Sequence, residues 1–165
     1  NKSFNTPVKI VRPFNVFGER QSDRAVIPTI ISQLLDSSIK KIELGNINTT
    51  RDFTYVSDVC EAVYQIYNSK FFEGKEVNIG SNEEISIEEL FYKITKILKI
   101  KKKIKIINYR KRKNTSEVKR LLCDNKLILK NTNWKPKTSL VKGLKKTVLW
   151  IKKNHNSFNS KFYNI

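Results

Sequence analysis

Few residues in this chain combine a reactive type with a setting where it could act. Asn15 stands directly behind the apolar run Val8-Lys9-Ile10-Val11-Arg12-Pro13-Phe14, just before the chain breaks at Gly18. An amide at the carboxyl end of a buried strand lies where open α/β sheets place ligands, although an asparagine there can also serve only to form a turn. Arg51 offers a guanidinium fork that matches a phosphate bidentately, or it forms a surface salt bridge with Asp52 or Asp58. Ala25 and Val26 open a helical pattern, and the first amides of a helix attract an anion whatever the side chains are. Arg112 is either an anion contact or one member of the solvated charge run Arg110-Lys111-Arg112-Lys113.

Other chemistries find little support. The single histidine, His155, lies in a polar tail, where no metal cluster or Ser/His/Asp arrangement can be assembled around it. Cys60 and Cys123 are far apart in apolar segments and read as buried thiols of a reducing compartment. Tyr109 and Lys113 have the Tyr-x-x-x-Lys spacing of a proton-abstracting pair. With 6 tyrosines in a lysine-rich chain, about one such match arises by chance. The pair also falls in a basic loop and not on a helix face, so it is read as coincidence.

The elements that would carry these residues follow from periodicity and punctuation. Residues 8–14 read as a strand buried on both faces of a parallel sheet. Helical spacing with Pro28 in the first turn predicts a helix over about 25–37. Strands are predicted at 42–44, 51–55, 77–79 and 104–107. Ser57 is the expected cap of a helix whose apolar face is Val59, Ala62, Val63, Ile66 and Tyr67. Ser86 and Glu89 form a capping box ahead of Leu90, Ile94, Ile97 and Leu98. Asp124 is the expected cap of a short helix through Leu129, with Trp134-Lys135-Pro136 as its stop, and Ser139 opens a last one carrying Leu140, Leu144, Val148 and Ile151.

At 165 residues the chain has length enough for a core without disulfide support. No apolar run approaches the roughly 18 residues of a membrane span and no signal pattern opens the chain, so a cytoplasmic protein is expected. The net charge of +18 raises nucleic acid as a partner. However, the lysines are spread over nearly every segment, and the basic runs at 101–103 and 110–113 lack interleaved aromatics, so nucleic-acid binding is not favoured.

Four segments, taken in order, resemble the NAD-dependent nucleotide-sugar epimerases and dehydratases of the extended short-chain dehydrogenase/reductase type. They are Val11-Arg12-Pro13-Phe14-Asn15-Val16-Phe17-Gly18-Glu19-Arg20-Gln21, Arg51-Asp52-Phe53-Thr54-Tyr55-Val56-Ser57-Asp58-Val59, Asn78-Ile79-Gly80, and Trp134-x-Pro136-x-x-Ser139-Leu140-x-x-Gly143-Leu144. The longer run through Ile31, with Ser116-Glu117-Val118-x-Arg120-Leu121-Leu122-x-Asp124-Asn125, is similar to the 4,6-dehydratases, those acting on UDP-N-acetylglucosamine above all.

That resemblance implies an α/β fold: the C-terminal portion of a Rossmann-like doubly wound parallel sheet plus a small α/β substrate-binding domain. It places residues 1–22 in the dinucleotide-binding domain, 23–153 mainly in the substrate domain and 154–165 in a tail. It implies that Asn15, Ala25, Val26, Arg51 and Asn78 contact the nucleotide-sugar, that Ile42 and Leu44 line the base pocket, and that Phe14 and Val16 border the cofactor. It assigns Arg112 to the phosphates and Glu117 to the ribose hydroxyls. Lys113 departs from the proline usual in that pattern. NAD, in preference to NADP, is the implied cofactor of the intact enzyme, a UDP-linked sugar its substrate and a homodimer its assembly. No Gly-x-x-Gly-x-x-Gly occurs in the chain. These residues are therefore expected to bind no cofactor alone and to supply no catalytic residue. A truncated form, a split enzyme with a separate N-terminal half and a degraded gene all fit, and a 4-epimerase or a non-catalytic basic binding domain remains the alternative.

Overall fold

The computed structural model describes residues 3–4, 6–111, 116–154 and 158. Among the described residues the α-helices and β-strands follow one another as β1 (Ile10–Pro13), β2 (Asn15–Phe17), α1 (Val26–Leu35), β3 (Lys41–Leu44), β4 (Thr50–Tyr55), α2 (Val56–Asn68), β5 (Glu76–Ile79), β6 (Glu84–Ser86), α3 (Ile87–Leu98), β7 (Lys103–Ile106), β8 (Arg120–Leu121), α4 (Lys126–Asn131) and α5 (Leu140–Lys153). The fold is α/β, and all but one of its strand pairs are parallel, as alternation of strands with helices dictates. β1 pairs with β5, β3 with β7, and β4 lies between β2 and β6 while also pairing with β8.

Two apolar clusters hold these pieces. One joins Phe17 and Tyr55 to the inner faces of α1, α3 and α5, with Ile42 and Leu44 of β3 beneath them. The other packs Val59, Ala62 and Ile66 of α2 against Val77, Ile79, Ile128 and Trp134, with Val11 and Val16 alongside. The chain leaves the second cluster after β2 and returns to it twice, through α2–β5 and through α4.

Several expectations need correction. β1 is not buried on both faces: Val11 packs on the second cluster, whereas Ile10, which points to the other face, is 44% exposed. α2 starts directly out of β4 with Tyr55 at its N-cap and no side-chain cap, so Ser57 lies inside the first turn. Its buried stripe is narrower than predicted, since Val63 and Tyr67 face outward. Cys60 is exposed on the same helix, whereas Cys123 is buried. Burial pushes the Cys123 thiol up to about 12, and the nearby Asp52 and Asp124 charges add to the shift. The Ser86 capping box forms as predicted: Glu89 N–H donates to Ser86 Oγ at 3.1 Å, and Ser86 N–H donates to Glu89 Oε2 at 3.0 Å. His155 lies outside the described residues.

Candidate functional site

A cleft of about 350 Å³ opens where the start of β2, the end of β3 and the first half of β4 meet the N-terminus of α1. β2 and β4 run parallel, with Asn15 beside Phe53, so the start of one strand and the middle of the other form adjacent parts of its wall. α1 contributes Ala25 as an N-cap without a side-chain acceptor, and its first turn carries no acidic residue. Its leading amides therefore present positive potential to the cleft unopposed by a carboxylate of their own helix.

Asn15, Val16, Ala25, Val26, Leu44, Arg51 and Glu117, predicted from well-separated segments, all line this one cleft. Asn15 is the first residue of β2 and not a turn residue, and its Nδ2 donates to the Asp52 carbonyl at 3.0 Å. Arg51 is held on two sides: Nη1 donates to the Thr50 carbonyl at 2.7 Å and Nη2 to Glu117 Oε1 at 3.2 Å. Their side chains are 14% and 13% exposed, so this ion pair is largely buried.

Neither aspartate considered as a partner for Arg51 takes that part. The Asp52 carboxylate, fully buried, accepts from Ser81 N–H (2.9 Å), Ser81 Oγ (2.7 Å), Asn82 N–H (2.9 Å) and Cys123 N–H (3.2 Å). Asp58 accepts from Thr138 N–H at 2.9 Å, while its carbonyl accepts from Trp134 Nε1 at 2.8 Å.

Three predicted residues, Ile42, Phe14 and Asn78, lie elsewhere. Ile42 is fully buried in the first cluster, on the same side of β3 as Leu44 but one pleat deeper. Phe14 joins β1 to β2 and donates its N–H to the Ile79 carbonyl at 2.9 Å. Asn78 lies in β5, in register with Arg12. Neither Phe14 nor Asn78 lines the cleft. Arg112 is outside the described residues.

Arg110 and Gln21 are among the polar residues of the cleft that sequence reasoning missed. Arg110 was grouped with a solvated run, yet its side chain is only 5% exposed. Nη1 donates to the Glu43 carbonyl at 2.7 Å, and Nη2 lies 3.5 Å from Glu43 Oε2. Gly45 makes room for this approach: the Arg110 carbonyl occupies the space a side chain there would need. Gln21 donates from Nε2 to the Val16 carbonyl at 2.7 Å, leaving a buried Oε1 without a hydrogen-bond partner at the cleft wall. Its loop is pinned by Tyr55, whose hydroxyl donates to Glu19 at 2.6 Å. Burial and then the Glu19 hydrogen bond raise the Tyr55 pKa well above the ordinary phenol range.

A cleft with a helix N-terminus, the guanidiniums of Arg24, Arg51 and Arg110, the carboxylates of Glu43 and Glu117 and an orphaned acceptor suits a large anionic ligand that also carries hydroxyl donors. The comparisons agree in kind. The family model for GDP-mannose 4,6 dehydratase matches residues 1–147. The chain belongs to this family of NAD-dependent nucleotide-sugar epimerases and dehydratases. A putative UDP-glucose 4-epimerase of Methanocaldococcus jannaschii is 33% identical over 160 residues, which is 95% of this chain and 50% of that protein. The dTDP-glucose 4,6-dehydratase of Bacillus anthracis, solved with NAD, superposes with a TM-score of 0.84 at 26% identity, covering 95% of this chain and 48% of that one. The UDP-glucuronic acid 4-epimerase of Bacillus cereus, solved with UDP-glucuronic acid and NAD, gives 0.83 at 27% identity, covering 93% and 48%. The chain thus spans about half the length of the curated relatives it matches.

As an epimerase/dehydratase family member the chain has a Rossmann-like α/β fold, and its parallel β1–β5 and β2–β4 pairs are in keeping with that. Among the described residues no helix is long and apolar enough to cross a membrane, and no group of three His, Cys, Asp or Glu is arranged to hold a metal. Of the residues in its basic runs, Lys102 as well as Arg110 turns inward. Its ammonium donates to the Gln33 and Asp36 carbonyls at 2.9 and 2.6 Å, closing the end of α1.

Proposed function

We propose that this chain forms the nucleotide-sugar-binding part of an NAD-dependent 4,6-dehydratase, with a UDP-linked sugar as substrate. The observation that carries the reading is the convergence of the α1 N-terminus, Arg51 and Glu117 on one cleft. In this reading the diphosphate sits on the leading amides of α1 and on Arg51, while Glu117 accepts hydrogen bonds from the ribose hydroxyls. Leu44 packs on the base, and Arg110 braces that end of the cleft through Glu43. Asn15 and the unpaired Oε1 of Gln21 face the sugar, where an acceptor selects a hydroxyl or amide donor.

Bound NAD would take up and return the hydride. Of this chain's residues, Val16 lies where it would border the nicotinamide, and the Gln21 amide fixes the Val16 backbone. Phe14 lies away from the cleft and is not assigned that part. Tyr109 is exposed on a turn and approaches Glu43 at 3.4 Å, which argues against its acting as the base. In the intact protein the cofactor cradle, the proton-abstracting group and a homodimer contact are ascribed to other residues, and the cytoplasm is its proposed location. Residues 1–22 are assigned to the end of the cofactor domain and 23–153 mainly to the substrate domain.

The Ser116–Asn125 segment favours UDP-N-acetylglucosamine and dehydration, and the epimerases among the relatives support 4-epimerisation as the second reading. Calorimetry with UDP and UDP-N-acetylglucosamine, beside a salt-dependent DNA titration, tests the site. UDP binding is expected, and Arg51→Ala should weaken it by roughly 10- to 100-fold, the loss of a charge-assisted hydrogen bond. No response to either nucleotide, with DNA affinity falling steeply as salt rises, would overturn the reading.

A further inference from the structure

Glu117 reaches Arg51 from a part of the chain with little of its own structure. It precedes β8 by three residues, and β8 is only two residues long. That strand lies parallel to β4, with Arg120 beside Thr50 and Leu121 beside Arg51, and Thr50 N–H donates to the Lys119 carbonyl at 2.9 Å. So short a ladder specifies register weakly, and a slip of one residue turns each side chain to the opposite face.

The Cys123 N–H bond to Asp52 anchors the far end of this segment, and a side-chain clip outside the cleft fixes the end nearer Glu117. Glu84 on β6 accepts from Arg120 Nε at 2.8 and 2.9 Å, and its Oε1 lies 2.7 Å from Arg120 Nη2. The same carboxylate accepts from Thr50 Oγ1 at 2.8 Å. One carboxylate therefore ties β8 to β4 and β6 together. Arg120 is 66% exposed, and ion pairs so placed contribute little to global stability. The fork geometry instead fixes direction and spacing, which a guanidinium does and an ammonium does not.

We propose that Arg120 and Glu84 are positioning residues that set the register of β8 and thereby aim Glu117 at Arg51 across the cleft. The proposal rests on the nucleotide reading for its effect on binding, and has a second readout that does not. UDP titrations of the 165-residue chain should show Arg120→Ala weakening binding by about three- to tenfold, with Arg120→Lys little better and Glu84→Gln similar to Arg120→Ala. In a Glu117→Gln background, Arg120→Ala should cause no further loss. The same fold-loss in both backgrounds, or none in the wild-type background, would overturn the proposal. If wild type fails to bind UDP, the nucleotide reading falls alone. The ligand-free protein then decides the clip: the Arg51 guanidinium N–H resonance, protected by Glu117, should be lost in Arg120→Ala and Glu84→Gln, and its persistence in both would refute the clip.

Discussion

Asp52 and Asp58 show how side chains within one motif can serve scaffold and site together. Both follow Arg51 closely in sequence, and both were candidates to pair with it. Each instead collects backbone N–H groups from remote segments: Ser81, Asn82 and Cys123 for Asp52, Thr138 for Asp58. A buried carboxylate that accepts several amide hydrogens is costly to delete, because every donor is then left unpaired. Asp52→Ala should lower unfolding stability by roughly 3 kcal/mol or more, read from urea midpoints at constant slope. The same comparison separates what sequence can reveal from what it cannot. Arg51 and Glu117 were legible because motifs name them, although nothing in the sequence says that they touch each other. Gln21 and Arg110 were not legible, since their roles depend on a loop pinned by Tyr55 and on the space left by Gly45. Ile42 and Leu44 share a strand face, so alternation alone could not say which of them meets the cleft.

Among the elements, those with local signals were readable and those defined by partners were not. The α3 capping box and the apolar stripe of α5 are written within a few turns of their own sequence, and both form. β6 and β8 were missed, because strands of two or three residues show no period and exist only through pairing with β4. The start of α2 was misplaced at Ser57 because the helix leaves β4 without an intervening loop. Close packing of α5 gives an element-scale test. A side chain at Gly143 would place its first carbon 2.6 Å from Phe17 and 2.9 Å from Tyr55. Gly143→Ala should therefore destabilise by about 1–3 kcal/mol, against the gain of up to about 1 kcal/mol that alanine brings to an exposed helix. A denaturant midpoint equal to or above wild type would show that α5 is free to shift.

At the scale of the whole molecule, two of the 33 cations behind the net charge of +18, Lys102 and Arg110, are spent on internal carbonyls. The two thiols differ in a way composition could not show. Cys60 should react promptly with a thiol reagent in the native protein, and Cys123 only after unfolding. The Cys123 pKa, raised to about 12, also couples folding to pH. An unfolded thiol ionises near about 8.5, so this contribution is fully present below that pH and is lost as pH rises toward about 12. Urea midpoints should fall between about pH 8.5 and pH 10.5 in wild type, and by less in Cys123→Ala.

The hydrogen bonds around the cleft also have a temporal consequence. Arg51 meets Glu117 across a separation of 66 residues, Asp52 meets Cys123 across 71, and Asp58 meets Thr138 across 80. Contacts this distant close slowly and can form only when both ends exist. During synthesis, then, the cleft lacks one wall until the segment carrying Glu117 has left the ribosome, long after Asn15 and Val16 of the opposite side have emerged.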